Sequence, residues 1–379
     1  MLGILTVSPQ VGTAQSALWD WSGAVDETPA TAPLRAMLAQ VPAAYLLPSG
    51  DLLASLGFGD LDAARRVLAS LDSDLPLALR AANRAAPTAR LTMEMGAETE
   101  TWINAVGFSV ADIHQMVVHE NRTDAASLIA LSPDAAARVP DALLASGYER
   151  QGYMSLHAYA AGEDGTRDRE AGRSGDPFRS FIGLSARVDV AGTLLRHGRT
   201  WSSFSTLAYG ARSPAVADPV VRVQLDALDG LDAGALLQAT FHPEAAPLLQ
   251  SDPVAALRGT DAERDAGGWR SLLLADFSTG AVSTGVMVLT ADWPADLDPT
   301  PLAALITARW NGTDIAGRSA AVQLGVPVEV NLWQTADGLV VLRLAATAPT
   351  AVGQRGVTTN PVFAFFSQRL RMLDLNFLP

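Results

Sequence analysis

The residues best spaced for chemistry are acidic. Asp261, Glu263 and Asp265 alternate ahead of Gly267. Oxygen ligands at the first, third and fifth positions of a loop are what a calcium ion takes. The rest of that pattern is missing, because Ala266 stands where the sharp-turn glycine belongs and Leu272 stands where the closing glutamate belongs. These three are the candidate metal ligands, set against the plainer reading of a solvated charged loop over Thr260–Gly268. A second acidic run, Asp164, Asp168 and Glu170, has Arg167 and Arg169 interleaved, which neutralises it and marks a surface loop within Gly162–Pro177.

The five histidines are His114, His119, His157, His197 and His242. His114 and His119 share neither a helical nor a strand face, and no His-Glu-x-x-His run occurs. Gly183-Leu184-Ser185 begins a nucleophile elbow, but Arg187 replaces its second glycine. No Gly-x-Gly-x-x-Gly follows a strand, so no dinucleotide site is indicated. No catalytic residue and no cofactor is assigned.

Composition closes off further classes. The chain has 379 residues, no cysteine and a formal charge of −13, and its 27 basic residues are all arginine. Lacking cysteine, it has no disulfide, thiolate metal site or cysteine nucleophile. Lacking lysine, it has no Schiff-base chemistry and no Walker A or kinase lysine. The acidic balance argues against nucleic acid, which needs a basic footprint. No apolar run approaches the roughly 18 residues of a membrane-spanning helix.

The elements that would position a site centre on Ser127–Tyr159. Leu128–Leu131 is a short apolar strand. Ser132-Pro133-Asp134 is a helix start, with Val139, Leu143 and Leu144 on one helical face. Pro140 predicts a kink, Gly147 ends the helix, and Tyr153–Ala160 alternates as a strand. A similar strand, helix and hairpin returns over Thr284–Trp333, with a turn at Asp337-Gly338 before Leu339–Ala346. The fold class is therefore α+β, with duplicated strand-helix-strand-strand halves, loosely ferredoxin-like, each an antiparallel sheet with helices on one face.

The expected organisation is a signal remnant or N-terminal arm over residues 1–33, a largely helical region over 34–90, a first α+β half over 91–215 and a second over 216–379. Asp60–Leu71 and Pro76–Arg90 read as helices, Met93 and Met95 as part of a strand, and Trp201–Tyr209 and Val220–Leu228 as strands. Phe363, Phe366, Leu370 and Leu373 form one face of a C-terminal docking helix. Met1–Gln15 is apolar, with a small-residue site at Thr13–Ala17, which suggests export to a periplasmic or extracellular location; otherwise the chain is cytoplasmic.

Function follows from what is left. The sequence reads as an exported, non-enzymatic protein that binds a protein partner or joins an envelope assembly. Trp19 and Trp21 in the arm, and Phe363 and Phe366 in the last helix, are its candidate contact residues. The alternatives are a hydrolase assembled from distant segments, marked by a cleft holding His119 or His157 near a serine and an aspartate, and a two-lobed solute-binding protein.

Overall fold

The structure, a computed structural model, describes residues 29–48, 50–51, 54–87, 99–121, 124–170, 176–179, 182–249, 251–259, 268–312 and 319–379. The first half runs α1 (Ala32–Leu38), β1 (Ser55–Asp60), α2 (Leu61–Leu68), α3 (Leu77–Ala85), α4 (Thr99–Val106), β2 (Ile113–Glu120), β3 (Ala125–Leu131), α5 (Pro133–Ala145), β4 (Glu149–Tyr153), β5 (Leu156–Ala161), β6 (Ala186–Ala191), β7 (Leu194–Gly198) and α6 (Trp201–Ala208). The second runs α7 (Pro219–Asp229), β8 (Ala235–His242), α8 (Ala246–Leu249), α9 (Pro253–Arg258), β9 (Trp269–Ser278), β10 (Val282–Asp292), α10 (Pro301–Asn311), α11 (Ala320–Leu324), β11 (Glu329–Gln334), β12 (Leu339–Pro349) and α12 (Pro361–Arg371).

The protein is α+β, and among the described residues its halves share one twelve-stranded antiparallel sheet in the order β11-β12-β10-β9-β8-β1-β2-β3-β7-β6-β5-β4. The order 8-9-10-12-11 on one side mirrors 1-2-3-5-4 on the other, except that the β6–β7 hairpin is inserted between β3 and β5. The two sides meet at the β1–β8 ladder, where Phe58 pairs with Ala239. β1 lies inside the N-terminal region read as helical and is central to the sheet. Its Gly59 lets α3 come close: a Cβ there would sit 2.1 Å from the carbonyl oxygen of Ala85.

Helices cover both faces of this sheet, not one. Leu56, Phe58, Leu273, Phe277, Val286 and Val288 pack beneath α1, α6 and α7. On the opposite face, Met116, Val118 and Ile129 pack against α4 and α5, and Leu272, Leu274, Met287 and Leu289 against α10 and α12. The reason is in the strands: β9, β10 and β12 carry unbroken apolar runs, so both of their faces need cover.

Several local expectations change in physically explicable ways. Val220–Leu228 is helical, because Asp218 caps the amides of Val220 and Val221 and Val221, Leu225 and Leu228 line one buried face. Trp201–Ala208 is helical too, started by a capping box between Thr200 and Ser203. α5 continues through Pro140 to Ala145. The strand read across Tyr153–Ala160 is a hairpin that turns at Met154, which has a left-handed φ of 53°. Met93 and Met95 lie outside the described residues.

Candidate functional site

The site is built at one end of the sheet. Ser132 accepts from the Ala135 amide and starts α5 with Pro133 in its first turn. Gly147, at φ 83°, ends that helix and turns the chain into β4. Among the described residues β4 pairs with β5 alone and forms the edge of the sheet, with all five of its residues exposed. At its end Met154 projects into solvent at 85 % exposure.

Beside β4 lies an open cleft of about 660 Å³. Glu149 and Gln151 of β4 form one wall, and Glu163, Asp164, Asp168 and Arg179 form the other. The small residues Gly147, Ala160, Ala161 and Gly162 leave room between them. The Glu163–Asp168 wall is folded locally: Thr166 donates to the Glu163 carbonyl from both its amide and its hydroxyl, and the Asp168 amide donates to the Gly183 carbonyl at 2.7 Å.

Arg187 and Trp201 complete the lining. Arg187 Nη1 donates to the carbonyls of Ala161 (3.1 Å) and Ala186 (2.8 Å), and Nη2 donates to Asp164 Oδ1 (2.7 Å). Asp164 Oδ2 accepts the Trp201 amide at 2.9 Å, so this carboxylate also serves the N-terminus of α6. The Arg187 guanidinium lies 5.3 Å from the Trp201 ring centre, and Tyr153 stacks on Trp201 at 5.2 Å. Burial lowers the Arg187 pKa, and the Asp164 charge opposes that shift.

Arg179 is held from behind. The fully buried Tyr148 hydroxyl donates to Asp176 Oδ2 at 2.6 Å, and Asp176 Oδ1 accepts the Phe178 amide at 2.8 Å. Burial raises both groups above their usual ranges, keeping the Tyr148 phenol neutral. Arg179 Nε then donates to the Leu184 carbonyl at 3.3 Å.

The histidines assemble no catalytic group in this cleft; its described lining contains neither histidine nor serine. His119 stacks on Tyr45 at 4.2 Å, and burial lowers its pKa. His197 sits 3.4 Å from Ser127 Oγ, beside a cavity of about 30 Å³ that has room for little more than one water. His157 is exposed on β5. The cleft lies within the first half, while the halves themselves are joined by a hydrogen-bonded ladder.

Other candidate residues fall elsewhere. Phe366 is fully buried and meets Trp310 at 6.0 Å, and Phe363 is partly buried against the same core. The face expected to meet a partner thus docks largely on this chain's own sheet, and Leu373 leaves it at 41 % exposure. Trp19, Trp21, Asp261, Glu263 and Asp265 lie outside the described residues. Asp164 and Asp168 were visible in the sequence as a charged loop. Arg187, Trp201 and Tyr153 were not linked to it, since they come together only through sheet pairing and α6.

Together these features define an α+β protein with an open sheet edge beside a polar cleft. Among solved structures, crystal form I of TP0453 is similar at TM-score 0.35 and 8 % identity, covering 89 % of this chain and 98 % of that one. Crystal forms III and IV are similar at TM-score 0.36, with 8 % and 9 % identity, each covering 80 % of this chain and 93 % and 92 % of theirs. At these values the likeness carries no argument. No family model matches the chain, and no curated protein matches it.

Proposed function

We propose that this is a non-enzymatic binding protein that engages a protein partner by strand addition at β4. The observation that carries this reading is the edge itself: among the described residues β4 has a neighbouring strand on one side only, and every one of its residues is exposed. An unpaired strand offers a row of main-chain donors and acceptors, which an extended segment of another chain satisfies. The opposite edge is less available. Val330 and Leu332 of β11 pack into the core, and Asn331 and Glu329 are engaged by Arg343.

Export, to the periplasm or beyond, belongs to the same proposal and is supported by the apolar, small-residue-rich Met1–Gln15. Among the described residues no helix is long and apolar enough to cross a membrane.

The test is amide hydrogen exchange of β4 with and without the extended peptide acetyl-TVTRTVT-amide. Slowed exchange confined to residues 149–153 is the expected result. Unchanged exchange in β4 at saturating peptide, or protection appearing elsewhere instead, would sink the reading.

A further inference from the structure

The β4–β5 turn decides which main-chain groups of β4 face outward. Met154 and Ser155 form a two-residue turn, and Tyr153 pairs with Leu156 across it. The residues flanking such a turn are hydrogen-bonded to each other, and bonded pairs then recur at every second residue. Gln151 and Glu149 therefore bond to Ala158 and Ala160 of β5. Arg150 and Gly152 direct their amides and carbonyls away from the sheet, where no strand meets them among the described residues. We propose that the partner at this edge is a second copy of this chain, joined by a two-fold β4–β4 pairing centred on Gln151. This inference rests on the strand-addition reading and names its partner.

A two-fold axis normal to the sheet sets one residue of β4 against itself. Three centres are open to it, and the chain distinguishes them. Centred on Arg150, two guanidinium groups would stand directly opposed, a destabilising pair, and the ladder would run into Gly147, whose φ of 83° is not that of a strand. Centred on Gly152, the ladder would recruit Met154, whose φ of 53° is equally unsuited. Centred on Gln151, it takes in Glu149–Tyr153, which is β4 itself. Arg150 and Gly152 of one copy then exchange bonds with Gly152 and Arg150 of the other, the residues whose main-chain groups face outward. Gln151 faces Gln151, and neutral amides can both donate and accept. Gly152 has no side chain to crowd Arg150 of the other copy, which its own Tyr159 already holds at 2.9 Å.

The charge of −13 opposes self-association, yet this register keeps the strand carboxylates apart. Glu149 faces Tyr153 of the other copy. The two Glu149 residues stand roughly 13 Å apart along the ladder at about 3.3 Å per residue, beyond the screening length of about 8 Å.

A second observation lies at the strand ends. Met154, 85 % exposed, stands at one end of β4, and Leu144, 43 % exposed, lies in the last turn of α5 at the other. Antiparallel pairing joins opposite ends, so Met154 of each copy arrives where Leu144 of the other is exposed. Apolar surface that the single chain leaves in water is thereby covered.

Sedimentation equilibrium of the full chain from about 1 to about 500 µM should show a reversible dimer, weak because the interface is small. Salt should strengthen it by screening the net charge. The Arg150 and Gly152 amides should exchange more slowly as the dimer fills. Gly152→Pro removes an outward amide and spares the bonds to β5, so it should abolish the dimer while a thermal melt shows the fold retained. Gln151→Glu and Gln151→Arg should each weaken self-association about fivefold and should pair with each other when mixed.

A chain that stays monomeric over this range while acetyl-TVTRTVT-amide still protects β4 would overturn self-pairing and leave strand addition standing. A dimer that survives Gly152→Pro, or in which Arg150 and Gly152 exchange as in the monomer, would overturn it too. If the chain stays monomeric and no peptide protects β4, both readings fall.

Discussion

Arg84 on α3 and Asp276 on β9 form a buried two-handed ion pair that ties the N-terminal helices to the second half of the sheet. Nη1 meets Asp276 Oδ2, and Nη2 meets Oδ1 at 2.8 Å. Further hydrogen bonds support the pair: Asn360 donates to Oδ1 at 2.8 Å, Gln238 donates to Oδ2 at 3.0 Å, and Nη2 also reaches Ser283 Oγ at 3.1 Å. Burial pushes the Arg84 pKa down to about 10, so it stays charged at neutral pH. Asn360 also caps α12 through the amides of Val362 and Phe363, and one network thus seats both α3 and the C-terminal helix.

Removing one partner strands the other charge in the core. Arg84→Met is expected to cost about 3–5 kcal/mol, while Arg84→Met/Asp276→Leu recovers part of that loss. Urea unfolding of the two variants measures both. A single variant that loses less than about 1 kcal/mol, the range of an exposed ion pair, contradicts the buried-pair account.

Phe366 separates packing from binding. It is fully buried among Trp310, Phe365 and Phe377. Phe366→Ala should lower stability by about 3–5 kcal/mol and leave peptide binding at β4 unchanged below its melting temperature. Lost binding in a folded Phe366→Ala protein would return this residue to the contact surface.

Acid should weaken the fold through His242. Burial lowers its folded-state pKa to about 4 from 6.5, so on acidification the unfolded chain takes up the proton first. The stability is whole above about pH 6.5 and falls towards pH 4, by roughly 3 kcal/mol at the lower end. Buried His119 acts in the same direction. His114, raised chiefly by its bond to Asp62, acts oppositely: its contribution is present below about pH 6.5 and is lost as pH rises through its raised pKa. His242→Asn should flatten the fall between pH 6.5 and 4 in denaturation midpoints; an unchanged slope assigns it to other groups.

Met154 holds a left-handed conformation at the β4–β5 turn while its side chain is exposed to solvent. Glycine adopts that conformation without the Cβ clash, so Met154→Gly should stabilise the protein by about 1 kcal/mol, having little packing to lose. Lower stability would mean that the side chain makes contacts important to the fold.

The sequence by itself determined the α+β class, most helix starts and the second-half hairpins. These rest on local physics: Asp60 and Ser132 each cap the next helix, and the β11–β12 turn falls at Asp337-Gly338, whose glycine has φ 84°. Local signals failed where two periods fit the same residues, as at Val220–Leu228, and capping by Asp218 tipped the balance to helix. The charged loop with Asp164 and Asp168 was legible as a loop, yet nothing nearby in the chain says which residues face it. Tertiary structure decided that the halves share one sheet, that β4 is left at its edge, and that Tyr153, Arg187 and Trp201 meet beside that loop. Strand order and edge position are set by pairings between distant segments, each of which looks locally like any other antiparallel strand.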